Sequence, residues 1–238
     1  MITNSKKERI IMNTTFRQFV VYMVLLVGLI LVPVGVSAAD NEVGVSVSYS
    51  TVNEEGFDNG FGFGINYTRA IMPNAAVEIG VDRKSFDLEV GGGSVTTMPI
   101  RITGLYRLEP MGTIRPWVGG GVGYYLNETD ASFIDETINE VNDDCDVSGL
   151  DCSYSGSADL KDAFGFHLGA GADYPINDKF ALTLGLEYRI VSADPETNFS
   201  CSGSDCNPLI EDELTSIAGE GSSDLGGFDL KIGVKYMF

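Results

Sequence analysis

The chain's one histidine, His167, is the natural place to look for catalysis, because a Ser–His–Asp hydrolytic site would have to draw its base from it. Its surroundings do not complete such a site. No G-x-S-x-G elbow occurs, the residue two along is Gly169, and His167 falls on the polar side of an alternating stretch. It reads as a member of a buried polar network, and no catalytic residue is assigned. Gly91–Gly93 and Gly119–Gly121 could suggest phosphate cradles. Neither is followed by Lys-Ser/Thr or joins a strand to a helix, so they read as glycines that relieve crowding.

Cys145, Cys152, Cys201 and Cys206 lie in two long polar segments. In an exported chain they should be oxidised. Three pairings are open, and Cys145–Cys152 with Cys201–Cys206 is favoured because each bond closes a short loop. The spacings are wrong for zinc, and no histidine lies nearby. The same segments are acidic: residues 127–162 hold eleven acids and one lysine, and residues 193–226 hold eight acids and no base. Asp144-x-Asp146-x-Ser148-Gly149 resembles the start of a calcium loop, but its twelfth position is Ser155 instead of an acid. Loosely held divalent cations are the expectation there, with no resident metal and no cofactor.

Export itself is written at the N-terminus. Lys6, Lys7, Arg9 and Arg17 precede an apolar run from Val20 to Val32, and small residues lead to Ala38 and Ala39. That order is a signal peptide, residues 1–39, cleaved near Ala38/Ala39. The run is too short for a spanning helix. The remainder, residues 40–238, forms one domain carrying 33 acids against 11 bases. Such a surface excludes a nucleic-acid partner, since it offers no basic footprint for phosphates.

The elements that must position these residues are strands. From Asn41 onward the dominant period is two, and no long segment keeps a period near 3.6. Phe228, Leu230, Ile232, Val234, Tyr236 and Phe238 alternate with Asp229, Lys231, Gly233, Lys235 and Met237. Phe164–Tyr174 and Phe180–Ile190 repeat the pattern, as do four earlier stretches beginning near Val43, Phe61, Val77 and Ile100. In the glycine-rich stretch Ile114–Leu126, Val118, Val122 and Tyr124 are expected outward and Arg115 inward. Connections alternate between short turns (70–74, 109–113, 175–179) and long polar loops, as periplasmic turns and extracellular loops do.

One face is apolar. The other carries Glu78, Asp82, Asp173, Glu187 and Asp229 with Arg101, Arg107, Arg115, Arg189, Lys231, Lys235 and His167. Opposed charges at such density suit a narrow lumen, where they must pair, better than a watery exterior. Aromatics gather near strand ends as two interfacial girdles. Tyr67, Tyr106, Trp117, Tyr174, Phe180 and Phe238 lie toward the short turns, and Tyr49, Phe61, Phe164 and Tyr188 toward the loops. The fold expected is all-β: a closed, up-and-down antiparallel transmembrane β-barrel of about eight strands, whose lumen side chains just fill.

Two motifs then carry a resemblance. Arg115-Pro116-Trp117-Val118-Gly119-Gly120-Gly121-Val122-Gly123-Tyr124-Tyr125 is similar to a strand common in small outer-membrane barrels, and Lys231–Phe238 is similar to the C-terminal signal read by the barrel-assembly machinery. With the layout, residues 40–238 resemble the OmpA/OmpW-type barrel domain. The resemblance implies a Gram-negative outer membrane, contact with its lipid and lipopolysaccharide, and Ile232, Val234, Tyr236 and Phe238 as the assembly signal. A monomer is expected. Its function is expected to be non-enzymatic: display of acidic, disulfide-stapled loops, in membrane integrity or surface interaction. An OmpW-like narrow conduit for small molecules is the alternative.

Overall fold

Where the sequence alternates with period two, the described residues form sheet. The computed structural model describes residues 41–54, 56–88, 93–130, 132–149, 151–206 and 223–238; the export segment and its cleavage point lie outside them. In chain order the elements begin with β1 (Asn41–Ser50), β2 (Gly60–Met72), β3 (Ala75–Asp87), β4 (Ser94–Arg107) and β5 (Arg115–Asp130). Next come α1 (Ser132–Ser148), β6 (Ser153–Leu160), β7 (Ala163–Pro175) and β8 (Phe180–Ala193). The chain ends with β9 (Pro195–Ser202), β10 (Ser223–Asp224) and β11 (Gly227–Met237).

Eight of these close on themselves in the order β1-β2-β3-β4-β5-β7-β8-β11, each antiparallel to its neighbours, with β11 returning to β1. The seam runs from Ser50↔Asp229 to Glu42↔Met237 and is finished by reciprocal bonds between Asn41 and Phe238, with N···O distances of 3.3 and 2.9 Å. Closure leaves no barrel edge. In hydrocarbon that is obligatory, because an unpaired backbone group there has no water to turn to.

The alternation sorts cleanly by exposure. Phe166 and Leu168 are 62% and 63% exposed, whereas His167 between them is 1% exposed. A soluble barrel would show the reverse. The outward series Phe228 to Phe238 spans ten residue steps, a rise of about 25 Å once strand tilt is allowed for, which is the height of an outer-membrane apolar band. On β3 the apolar series stops at Val81, and the next outward position is exposed Arg83.

Above the barrel the ribbon of β7 and β8 continues as β6 paired with β9, from Leu160↔Pro195 up to Ser153↔Ser202. Here the expectation of no helical period is corrected, since Ser132–Ser148 is an α-helix. Ile138, Val141 and Cys145 recur at helical spacing and pack on Tyr154, Phe199, Cys152 and Cys201. Six of the seventeen helical positions are acids, so the apolar stripe is hard to see in the composition.

Candidate functional site

The lumen is built in tiers by side chains of even and odd parity meeting from opposite strands. Toward the loops, Asp229 is wholly buried and accepts from both Lys84 Nζ and Arg189 Nη1. Arg189 also donates to the carbonyl of Thr51 at 2.8 Å and lies 5.6 Å from the centroid of the Phe86 ring. In the middle, Arg101 bridges Asp82 (2.5 Å) and Glu187 (2.6 Å), and Lys231 approaches Glu187 at 3.2 Å and Asp82 at 3.7 Å. His167 Nε2 and Thr103 Oγ1 are 2.8 Å apart beside this tier. Toward the short turns, Lys235 meets Asp173 (2.9 Å) and Glu42 (3.8 Å), and Arg107 pairs with Glu42 at 2.5 Å. Glu78 accepts from Asn66 and Thr68.

Six acids (Glu42, Glu78, Asp82, Asp173, Glu187, Asp229) therefore share the interior with six bases (Lys84, Arg101, Arg107, Arg189, Lys231, Lys235). The matching is physical necessity, because a charge buried without a partner costs several kcal/mol. A cavity of about 60 Å³ remains among Asn66, Glu78, Asp82, Arg101, Trp117 and Lys231. That is room for a few waters.

Toward the loops lies an apolar cluster of Tyr125, Ala163, Val191, Ala193 and Leu225, with Val52, Phe57 and Leu160 against it. Leu225 is held there because Arg189 also reaches its carbonyl, at 3.4 Å. Gly227 makes the turn that brings it in. Its φ is +155°, and a Cβ would stand 2.1 Å from the oxygen of Thr51.

The structure brings together most of the sequence-read network and corrects two placements. Arg115 occupies an inward register position opposite Asp173 but stands exposed at the start of β5, and among the described residues it makes no ion pair; Lys235 takes Asp173 instead. It lies below the lumen, where water solvates it. Trp117 is not in a girdle. It points inward under Lys235, whose Nζ is 5.7 Å from the ring centroid. Gly171 and Gly185 make its space, since a Cβ on Gly171 would meet the indole at 2.4 Å. Tyr106, Tyr174, Phe180 and Phe238 are exposed on the outer wall near the turns, and Tyr49, Phe61 and Phe164 near the loops.

Lys84 and Glu42 were missed in the sequence although both obey the parity of their strands. Lys84 follows Asp82 by two, but the outward neighbours Arg83 and Ser85 are polar and hide the continuing strand. Glu42 is the second residue of β1, next to polar Asn41 and before the alternation is established. Leu225 gives no signal in sequence, being one apolar residue in an acidic loop.

At the surface, disulfides Cys145–Cys152 and Cys201–Cys206 staple α1 to β6 and close the end of β9. Asp151 and Asp205 cross-link the tips, with Asp151 N donating to Asp205 Oδ2 at 2.9 Å. The segment that resembled a calcium loop is helical through Ser148 and ends at Gly149 (φ +68°), so its backbone lacks the wrap that such a loop needs. Among the described residues no group of three or more His, Cys, Asp or Glu is arranged to hold a metal. Ile232, Val234, Tyr236 and Phe238 are exposed on the outer face of β11.

A closed barrel of eight antiparallel strands, greasy outside and ion-paired inside, defines the class of small outer-membrane barrels. The chain belongs to the family described as outer membrane protein beta-barrel domain, whose model matches residues 24–238. No curated protein matches it in sequence. Among solved structures it is similar to Neisserial surface protein A, at 12% identity and a TM-score of 0.53 over 83% of this chain and 97% of that one. It is also similar to the outer membrane protein OprG from Pseudomonas aeruginosa, at 17% identity and a TM-score of 0.57 over 84% and 97%. At these identities the likeness is one of fold; membership of the family places the chain in the outer membrane of a Gram-negative bacterium.

Proposed function

We propose that the barrel is a sealed membrane anchor that presents the unit of α1, β6 and β9 to the cell exterior, for contact with outside partners or with neighbouring lipopolysaccharide. The observation that carries this reading is the interior: among the described residues matched charges line it, the cavity between Asn66, Glu78, Asp82, Arg101, Trp117 and Lys231 measures about 60 Å³, and Leu225 packs in an apolar cluster toward the loops. Any solute crossing the lumen would have to break several buried ion pairs at once, each costing about 3–5 kcal/mol when one partner is lost. The family, the fold and the two disulfides support an anchoring role with rigid surface loops. An enzymatic role finds no support at His167, which is buried with Thr103 where no lipid substrate reaches.

Recording from purified protein in planar bilayers tests the reading. The expected trace shows no conductance above that of protein-free bilayers. Discrete conductance steps that disappear on boiling the sample would replace this proposal with the narrow-conduit alternative.

A further inference from the structure

Three asparagines among the described residues head an Asn-x-Ser/Thr triplet: Asn66, Asn127 and Asn198. That triplet is the acceptor pattern for N-linked glycan, and it acts only where the side chain can be reached. Two of the three are committed elsewhere. Asn66 points into the lumen and donates to Glu78 at 2.5 Å, and Asn127 donates its amide to the carbonyl of Lys161 at 2.8 Å.

Asn198 differs in every respect. It is exposed on β9, and its side chain makes no hydrogen bond to any described residue. Strand alternation puts Glu196, Asn198 and Ser200 on one exposed face, while Phe199 and Cys201 turn to the helix-covered side. The cross-strand neighbours on that face are small, Ser157 opposite Asn198 and Ser155 opposite Ser200, with the two serine hydroxyls 3.1 Å apart. Space above Asn198 is therefore open to a bulky substituent. Glu196 supplies an acid two residues before the asparagine, the added feature by which bacterial oligosaccharyltransferases choose acceptors. The corresponding positions before Asn66 and Asn127 are Gly64 and Tyr125.

We propose that Glu196-Thr197-Asn198-Phe199-Ser200 is an N-glycosylation site, modified from a polyprenyl-diphosphate-linked oligosaccharide. In the transfer the Asn198 amide nitrogen bonds to the anomeric carbon of the first sugar. The bond from that carbon to the diphosphate oxygen breaks, its electron pair leaves with the polyprenyl diphosphate, and the amide gives up one proton to the departing group. The reaction belongs to the periplasmic stage of export, and the Asn198 face stays open once β9 pairs with β6, whereas Asn66 and Asn127 are committed on folding. After assembly the glycan would project from the polar face of the surface ribbon, on the side away from α1.

The test expresses the full chain in a Gram-negative host with a bacterial oligosaccharyltransferase and its lipid-linked oligosaccharide, and in the same host with the transferase inactivated. Protein extracted from outer membranes is weighed intact and mapped by peptide mass. The expected result is a second species heavier by one glycan, present only with active transferase and located on Asn198. Asn198→Gln and Ser200→Ala should abolish it, and Glu196→Gln should lower its yield at least tenfold. All variants should keep the heat-dependent shift in gel mobility that marks a folded barrel, so that loss of glycan is not loss of fold. The proposal is overturned if Asn198 stays bare while a control acceptor in the same cells is glycosylated, if the sugar sits on Asn66 or Asn127, or if Glu196→Gln changes nothing.

Discussion

Asp229 carries a heavy electrostatic demand. One wholly buried carboxylate compensates two buried cations, Lys84 and Arg189, on either side of it. Replacing it by asparagine keeps the shape and removes the charge, which leaves those cations facing each other. The variant Asp229→Asn should lose about 3–5 kcal/mol in urea unfolding from lipid bilayers, followed by gel mobility without boiling. Adding Lys84→Met should recover much of that loss, because it removes one of the stranded charges. Arg115→Gln, at a position exposed to water, should stay within about 0.5 kcal/mol of the parent. An Asp229→Asn protein as stable as the parent would refute the tiered reading of the lumen. At this scale the sequence is legible wherever a polar residue sits between two apolar outward ones, as Asp229, Lys231, Glu187 and His167 do. It fails at strand ends, where Lys84 has polar neighbours on both faces. It fails too at Trp117, since an aromatic beside a turn fits a girdle and a lumen equally, and only the glycines of other strands decide.

The element that the sequence concealed is the one that reaches outward. Among the described residues the core of the surface unit is small: Ile138, Cys145 and Tyr154 are its buried members. So little apolar burial cannot order a helix and a ribbon alone, and small units of this kind depend on cross-links. The bond Cys145–Cys152 ties the last turn of α1 to the first residue before β6, and Cys201–Cys206 fixes the far end of β9. Disulfides in short loops are worth about 2–4 kcal/mol each. Reduction should therefore melt α1, β6 and β9 while leaving the barrel intact. Limited proteolysis of reconstituted protein measures this: reductant should expose cleavage sites between residues 132 and 202, with the heat-dependent mobility of the remaining barrel unchanged. Equal protease resistance with and without reductant would show that the unit is held by packing alone. The pairing itself was legible, because each bond spans few residues. The helix was not, because a narrow apolar stripe among acids lowers the helical signal to the level of a solvated loop.

At the scale of the whole molecule, what closes the barrel is the meeting of its two ends. β1 and β11 are as far apart in sequence as the domain allows, yet nine register pairs and the reciprocal Asn41–Phe238 bonds join them. Alternation shows that each strand is half apolar, and the membrane then demands closure; neither says which backbone atoms complete it. Phe238 does two separable things at that point. Its backbone finishes the seam, and its exposed ring stacks on Tyr236 with centroids 5.9 Å apart at the outer wall, where an assembly factor could grip it. A substitution that keeps the backbone but removes the ring separates the two. Phe238→Ser should refold from urea into detergent micelles with normal heat-dependent mobility, since every seam bond survives. In cells the same variant should reach the outer membrane at a fraction of the parental level and accumulate in the periplasm, because recognition of the last strand is impaired. Normal surface levels would remove Phe238 from any role in targeting. Failure to refold in micelles would instead assign the ring to closing the barrel, and the two readouts taken together leave the terminal residue with one role or the other.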